Sequence, residues 1–277
     1  MNESELKELL GFFQAGCIYY EQTPVHRANL KDLDLDTFDE YLRRYMDIKA
    51  YESELNSYLK NLHLLDDNNI PTVTGILFFG KKPQFFFQSA QVICAYIKGN
   101  DLSIPPFDKK DITGRIPDIL ENTEKFINLY LREEHVIEGF KPEIRREVPP
   151  AALREAVVNA ISHKDYTIGA PIRIFIYENR LEIRTPGKLP NSVTPESMRI
   201  GGSHILRNPT IYNLLYKMGM VTAIGSGVRR IISLVKNNSP KRRSARRNRE
   251  RVHFNDSQAL NLKSPHCHSL RSSAVCW

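Results

Sequence analysis

The chain has 277 residues, 41% hydrophobic and 26% charged, the make-up of a soluble globular protein with one large domain or two ordinary ones. No apolar run approaches the roughly 20 residues that span a bilayer, and residues 1–10 are acidic and amphipathic, so no membrane span or signal peptide is expected and the default location is cytoplasmic. Nine of the 39 Lys and Arg and two of the 32 Asp and Glu fall in 239–277, so residues 1–238 carry 30 of each, and the net charge of +7 describes the tail and not a nucleic-acid face on the body.

Leu6, Leu9, Leu10 and Phe13 repeat at helical spacing, and residues 1–37 read as a leader or linker. A helix follows over 37–46, with Phe38, Tyr41, Leu42 and Tyr45 on one face. Leu55, Leu59 and Leu62 carry another. Residues 72–79 are dense in apolar and β-branched side chains and read as a buried strand. Val92 to Ile97 is a second strand, Ile104 to Phe107 a loop, and 116–131 a long helix. Residues 38–146 thus form one α/β unit. Pro149 and Pro150 open a helix that runs to about Lys164. Two strands, 172–177 and 181–184, flank Glu178, Asn179 and Arg180 as a hairpin. Asn208 and Pro209 start a helix that Gly219 ends, and Gly225, Ser226 and Gly227 precede a last helix. Residues 239–277 show no periodicity and are expected to be a disordered basic tail. The four cysteines, Cys17, Cys94, Cys267 and Cys276, lack metal or redox spacing and read as free thiols.

Chemistry concentrates on the helix after Pro150. Leu153, Ala156, Val157, Ala160 and Ile161 make one apolar face. Glu155, Asn159, Ser162 and His163 lie opposite. Glu155 and Asn159 are one turn apart and can meet one ligand. A carboxylate can take a proton from water, and an amide oxygen can sit on Mg²⁺. The residues alone leave an ordinary solvated helix face as the alternative. Pro186-Gly187 follows a strand, and Gly225-Ser226-Gly227 opens a helix, both places where backbone N–H groups can approach phosphate. One decoy is rejected. Gly75 to Lys82 reads G-x-x-x-x-G-K-K, but Lys82 stands where Ser or Thr would hold Mg²⁺, and Ile76, Leu77, Phe78 and Phe79 are too apolar to wrap an anion. No helicase motor is expected.

The order of these pieces resembles the GHKL (Bergerat-fold) ATPases. More closely, LREAVVNAISHKDY (153–166), RTPGKLP (184–190), RNPTIYNLL (207–215) and IGSGVRRI (224–231) resemble transcriptional regulators with a RecG-like C-terminal ATPase module. The resemblance is strong over 147–238 and weaker back through TVTGILFFGKKPQFF (72–86). It implies an α/β (α+β) protein, with an α/β middle unit (38–146) followed by a GHKL-like two-layer α/β sandwich (147–238). It implies ATP and Mg²⁺ as cofactors, with Glu155 as general base and Asn159 as the Mg²⁺ ligand. Gly187 would belong to the first glycine box, Gly225 and Gly227 to the second, and His163, Thr185 and Ser226 complete the nucleotide contacts. The sequence departs from the pattern in places. Thr185 stands where the family's adenine-reading aspartate would be, and Leu189 replaces the second glycine. The lid segment, 191–207, has Gly201 and Gly202 as its hinge material. The AlbA-like DNA-binding domain that usually comes first would precede this chain.

Two functions follow as expectations. One is a nucleotide-binding regulatory module of a transcriptional regulator, with slow ATP hydrolysis. The other is part of a DNA-binding transcription factor whose ATPase-like domain is a degenerate scaffold used for dimerisation. DNA would be met through the missing N-terminal domain or the basic tail. The tail itself is read as a non-native C-terminus or a basic arm, and a homo-oligomer is expected.

Overall fold

The computed structural model describes residues 19–131, 133–138, 141–146, 148–188, 206–221, 227–237, 252–255 and 259–263. The expected helix at Leu6 to Phe13 lies outside them. Helix α1 (Leu35–Met46) starts where the Asp34 side chain accepts from Thr37 N at 3.2 Å and ends at Asp47, with φ 56°. Helix α2 spans Leu55–Asn61. Helix α3 spans Val73–Phe79, and all seven of its residues are buried. This corrects the expected strand. The Thr72 hydroxyl accepts from Gly75 N at 3.1 Å and caps a helix there. A Cβ on Gly75 would stand 2.3 Å from Leu64 O, so only glycine lets α3 lie against that backbone. The α3 aromatics build the N-terminal core. The Phe38 and Phe79 rings meet edge-on at 5.1 Å, and Tyr41 packs on Phe79 at 5.4 Å.

Helix α4 (Pro83–Phe86) leads to strand β1 (Val92–Tyr96), which pairs antiparallel with β2 (Asp108–Ile112). Helix α5 (Ile116–Tyr130), the hairpin β3 (Glu133–Glu138) and β4 (Lys141–Arg146), and helix α6 (Pro150–His163) come next. Strand β5 (Ile172–Ile176) then returns parallel to β1 and turns into β6 (Arg180–Arg184). Helices α7 (Pro209–Lys217) and α8 (Gly227–Asn237) follow. The main sheet runs β2-β1-β5-β6-β8-β7, with β7 (Val252–Asn255) and β8 (Ala259–Lys263). The fold is therefore mixed α/β, as expected. The residues assigned to a middle unit and to a following module share this one sheet through the β1–β5 pair.

Strands β7 and β8 fall within 239–277 and correct the expectation of a tail without regular structure. Leu260 and Leu262 sit in register with Ile183 and Leu181, and Phe254 and Val252 with Leu260 and Leu262. The alternation is only two apolar residues long in each strand and follows a run of arginines, which hides it in the sequence.

Period-two alternation divides the sheet faces. Val92, Cys94, Ile172, Ile174, Ile176, Leu181 and Ile183 are buried on one face. Helix α5 covers β1 there, and α6 covers β6. Tyr96 of β1 stacks on Tyr130 of α5 at 4.4 Å. The opposite face carries Arg173, Phe175, Arg180, Glu182 and Arg184, with Glu182 held between Arg180 (2.6 Å) and Arg184 (2.8 Å). Helices α7 and α8 pack on the far side of α6, so α6 is sandwiched rather than laid on the surface.

Candidate functional site

That sandwich sets the environment of the predicted site residues. Nine residues of α6 are buried, including Glu155 and Ser162 on the face read from sequence as polar. The solvated-face alternative therefore does not hold. Arg154 is exposed, while Asn159 and His163 are half-buried. Burial pushes the Glu155 carboxyl above its ordinary range, and the positive charge of Arg230 on α8 pulls it partly back. Glu155 in turn helps raise the Tyr212 hydroxyl on α7. The carboxylate thus sits between three helices, one turn from Asn159. The Ser162 hydroxyl is fully buried and has no hydrogen-bond partner among the described residues.

The C-terminal end of α6 is joined to two other elements. Asn208, at the start of α7, donates from its side chain to Ser162 O at 2.9 Å and Lys164 O at 2.8 Å. It caps carbonyls that the helix leaves open. The loop after β6 is attached at the same point, with Asp165 N donating to Pro186 O at 2.9 Å. Arg207 pairs with Asp165 and donates to Lys188 O at 2.6 Å. Gly187, with φ 126°, sits among them. Thr185 is buried, beneath the loop. Lys164 is buried as well, its ammonium donating to Ala170 O at 2.6 Å, and burial lowers it from 10.5 to about 8.

A second carboxylate holds α7 from below. Glu21 is fully buried and accepts from Thr210 N at 2.5 Å and Ile211 N at 2.9 Å, the open N–H groups of the first turn of α7. Burial raises it from 4.5 to about 7 even against these hydrogen bonds. Tyr41 of α1 donates to Leu214 O at 3.0 Å, so the N-terminal helices also anchor α7.

The structure therefore brings Gly187 and Thr185 to the end of α6, and sets Glu155 and Asn159 along it. Gly227 is the first residue of α8, while Gly225 and Ser226 lie outside the described residues. Sequence reasoning missed Glu21, Asp165, Arg207 and Arg230. Asp165 and Arg207 stood inside quoted motifs without a role, and nothing local marks Glu21. Among the described residues no trio of His, Cys, Asp or Glu could hold a metal ion. Asn159 alone would hold Mg²⁺ only together with phosphate oxygens and water. The orphaned Ser162 hydroxyl, the half-buried Asn159 amide and the open backbone at Gly187 fit a phosphate-bearing ligand in donor and acceptor character.

The class these features define is a mixed α/β fold with a buried carboxylate helix beside a hairpin and a glycine loop. Residues 169–254 match the family described as "Putative ATP-dependent DNA helicase recG C-terminal". The chain thus carries a RecG-type, ATPase-like segment, which contains the β5–β6 hairpin, Thr185, Gly187, α7 and α8. Glu155 and Asn159 precede the matched residues. A comparison with curated proteins finds no match. Among solved structures the chain is similar to the DIP2311 protein from Corynebacterium diphtheriae, with TM-score 0.66 and 19% identity over 93% of this chain and 50% of that one. At that identity the likeness is one of fold, and the chain spans half the neighbour's length. Among the described residues no helix is long and apolar enough to cross a membrane.

Proposed function

We propose that the chain is the nucleotide-binding regulatory part of a transcriptional regulator, taking ATP with Mg²⁺. In this reading Asn159 holds the metal alongside the phosphates, and bound Mg²⁺ supplies charge neutralisation there. Glu155 takes the proton of an attacking water, which gives slow hydrolysis and not a helicase motor. Gly187, Gly225 and Gly227 let backbone N–H groups approach the nucleotide, with His163, Thr185 and Ser226 beside them. DNA contact belongs to an AlbA-like domain preceding these residues or to the basic run in 239–277, and the protein works as a cytoplasmic homo-oligomer.

The observation that carries the reading is the state of Glu155. A carboxylate buried among three helices is costly unless it has work or a partner. Here burial raises it toward the range of a general base. The match of residues 169–254 to an ATPase-like family supports the same reading. The degenerate-scaffold alternative draws on Thr185, a neutral residue in the place of an acid, and on the Arg207 guanidinium lying against Gly187.

Calorimetric titration of Mg-ATP into the full chain tests this, with Asn159→Ala as the comparison. The full chain is needed because a cut at 238 would remove β7 and β8 from the sheet. Saturable binding that Asn159→Ala weakens at least about tenfold supports the metal site and justifies an ATPase assay with Glu155→Ala. Absence of binding at about millimolar nucleotide favours the scaffold.

A further inference from the structure

A base laid on a glycine loop needs an acceptor for its exocyclic amine, and the residue expected to supply one is Thr185. Thr185 is only 6% exposed and carries a neutral hydroxyl. The surroundings of Gly187 offer another group. On the side where a Cβ would stand, the nearest atoms are Arg207 Nη1 and Asp165 Cβ, each at 3.0 Å, then Arg207 Cζ at 3.4 Å. The backbone there has φ 126°, which side chains rarely adopt, so the approach is kept open by glycine alone. Asp165 Oδ2 meets the Arg207 guanidinium, and Oδ1 accepts from Thr167 N at 3.0 Å and Thr167 Oγ1 at 2.5 Å. Both charged side chains keep about a quarter of their surface in solvent, 25% for Asp165 and 24% for Arg207. They are oriented but reachable.

We propose that Asp165 is the specificity-determining carboxylate of the site, accepting from the exocyclic amine of an adenine base seated on Gly187, with Arg207 as its positioning residue. The assignment rests on the nucleotide-binding reading above. An ionised carboxylate has about four lone-pair sites, so Asp165 can keep Thr167 and still accept from a base. It has no proton to donate, so it favours an amine at C6 of a purine and disfavours a carbonyl there. Arg207 closes the loop after β6 onto α6 through Lys188 O at 2.6 Å, and so fixes how far the carboxylate stands from the glycine. The acid missing at position 185 is replaced from a different element, the turn after α6.

Titration of Mg-ATP and of Mg-ITP, which carries a C6 carbonyl, into the full chain tests the assignment. The wild type should bind ATP at least about tenfold more tightly than ITP, the size of a hydrogen bond to a charged group. Asp165→Asn, whose amide can donate, should bring the ratio within about threefold or reverse it. Arg207→Lys should weaken ATP binding while ATP stays ahead of ITP. Equal affinity of the wild type for the two nucleotides overturns the assignment without reference to any variant. An Asp165→Asn chain that keeps the wild-type ratio overturns it too. If the wild type binds neither nucleotide, the nucleotide-binding reading itself fails, and this assignment falls with it.

Discussion

Glu21 and Asp165 are both carboxylates at the junction of α6 and α7, and they are held in opposite ways. Glu21 is fully buried, and its partners are backbone N–H groups that cannot move without unwinding α7. Asp165 is a quarter exposed, and its main partner is the mobile end of an arginine side chain. The first arrangement joins two parts of the fold across a sequence separation of 189 residues. The second can exchange its partner for a ligand at little cost. Burial against fixed donors marks a structural carboxylate, and partial exposure against an exchangeable donor marks one available for binding.

The contrast should appear first in stability. Glu21→Ala leaves two buried N–H groups without an acceptor and opens a cavity between the N-terminal segment and α7. It should cost about 3 kcal/mol in urea denaturation at neutral pH. A cost below about 0.5 kcal/mol would break the distinction between the two carboxylates.

Lys164 sharpens it through pH. Between about 8 and 10.5 the unfolded chain still holds a proton that the folded chain has shed, so this lysine makes stability rise with pH across that window. Lys164→Met should flatten the rise, by about 2 kcal/mol between the two ends. Glu21 acts with the other sign. Between 4.5 and about 7 the folded chain holds the extra proton, so its contribution falls as pH rises. Denaturation profiles of the wild type and Lys164→Met over pH 8 to 10.5 should therefore diverge, and parallel profiles would contradict the burial of the ammonium.

Asp165→Asn should be the mildest change to the fold. It removes a partly exposed ion pair worth up to about 1 kcal/mol, and its Thr167 contacts can persist. A loss as large as that of Glu21→Ala would make Asp165 a structural residue after all.

How much of this was readable follows from where each signal lies. Helix α6, the β5–β6 hairpin and α7 are marked locally, by proline at helix starts and by period-two apolar residues. Helix α3 was misread because Val73 to Phe79 is apolar on every side, which suits a buried strand or a buried helix equally. The deciding features are the Thr72 cap and the close approach of Gly75 to Leu64. Strand β2 went unseen because Asp108, Lys109, Lys110 and Asp111 form a polar edge, with only Ile112 buried. In the site, Glu155 and Asn159 were legible from a four-residue spacing. Arg207 meets Asp165 across 42 residues, and no periodicity announces such a pair. The burial of Glu155 was also hidden, since it depends on α7 and α8 covering α6 from the far side.

The most direct test of the central claim is amide hydrogen exchange on the full chain with and without Mg-ATP. The account predicts added protection concentrated in two segments, 153–166 along α6 and 184–188 around Gly187, with the effect at 153–166 lost in Asn159→Ala. Protection confined to other parts of the sheet, or no change at saturating nucleotide, would contradict it.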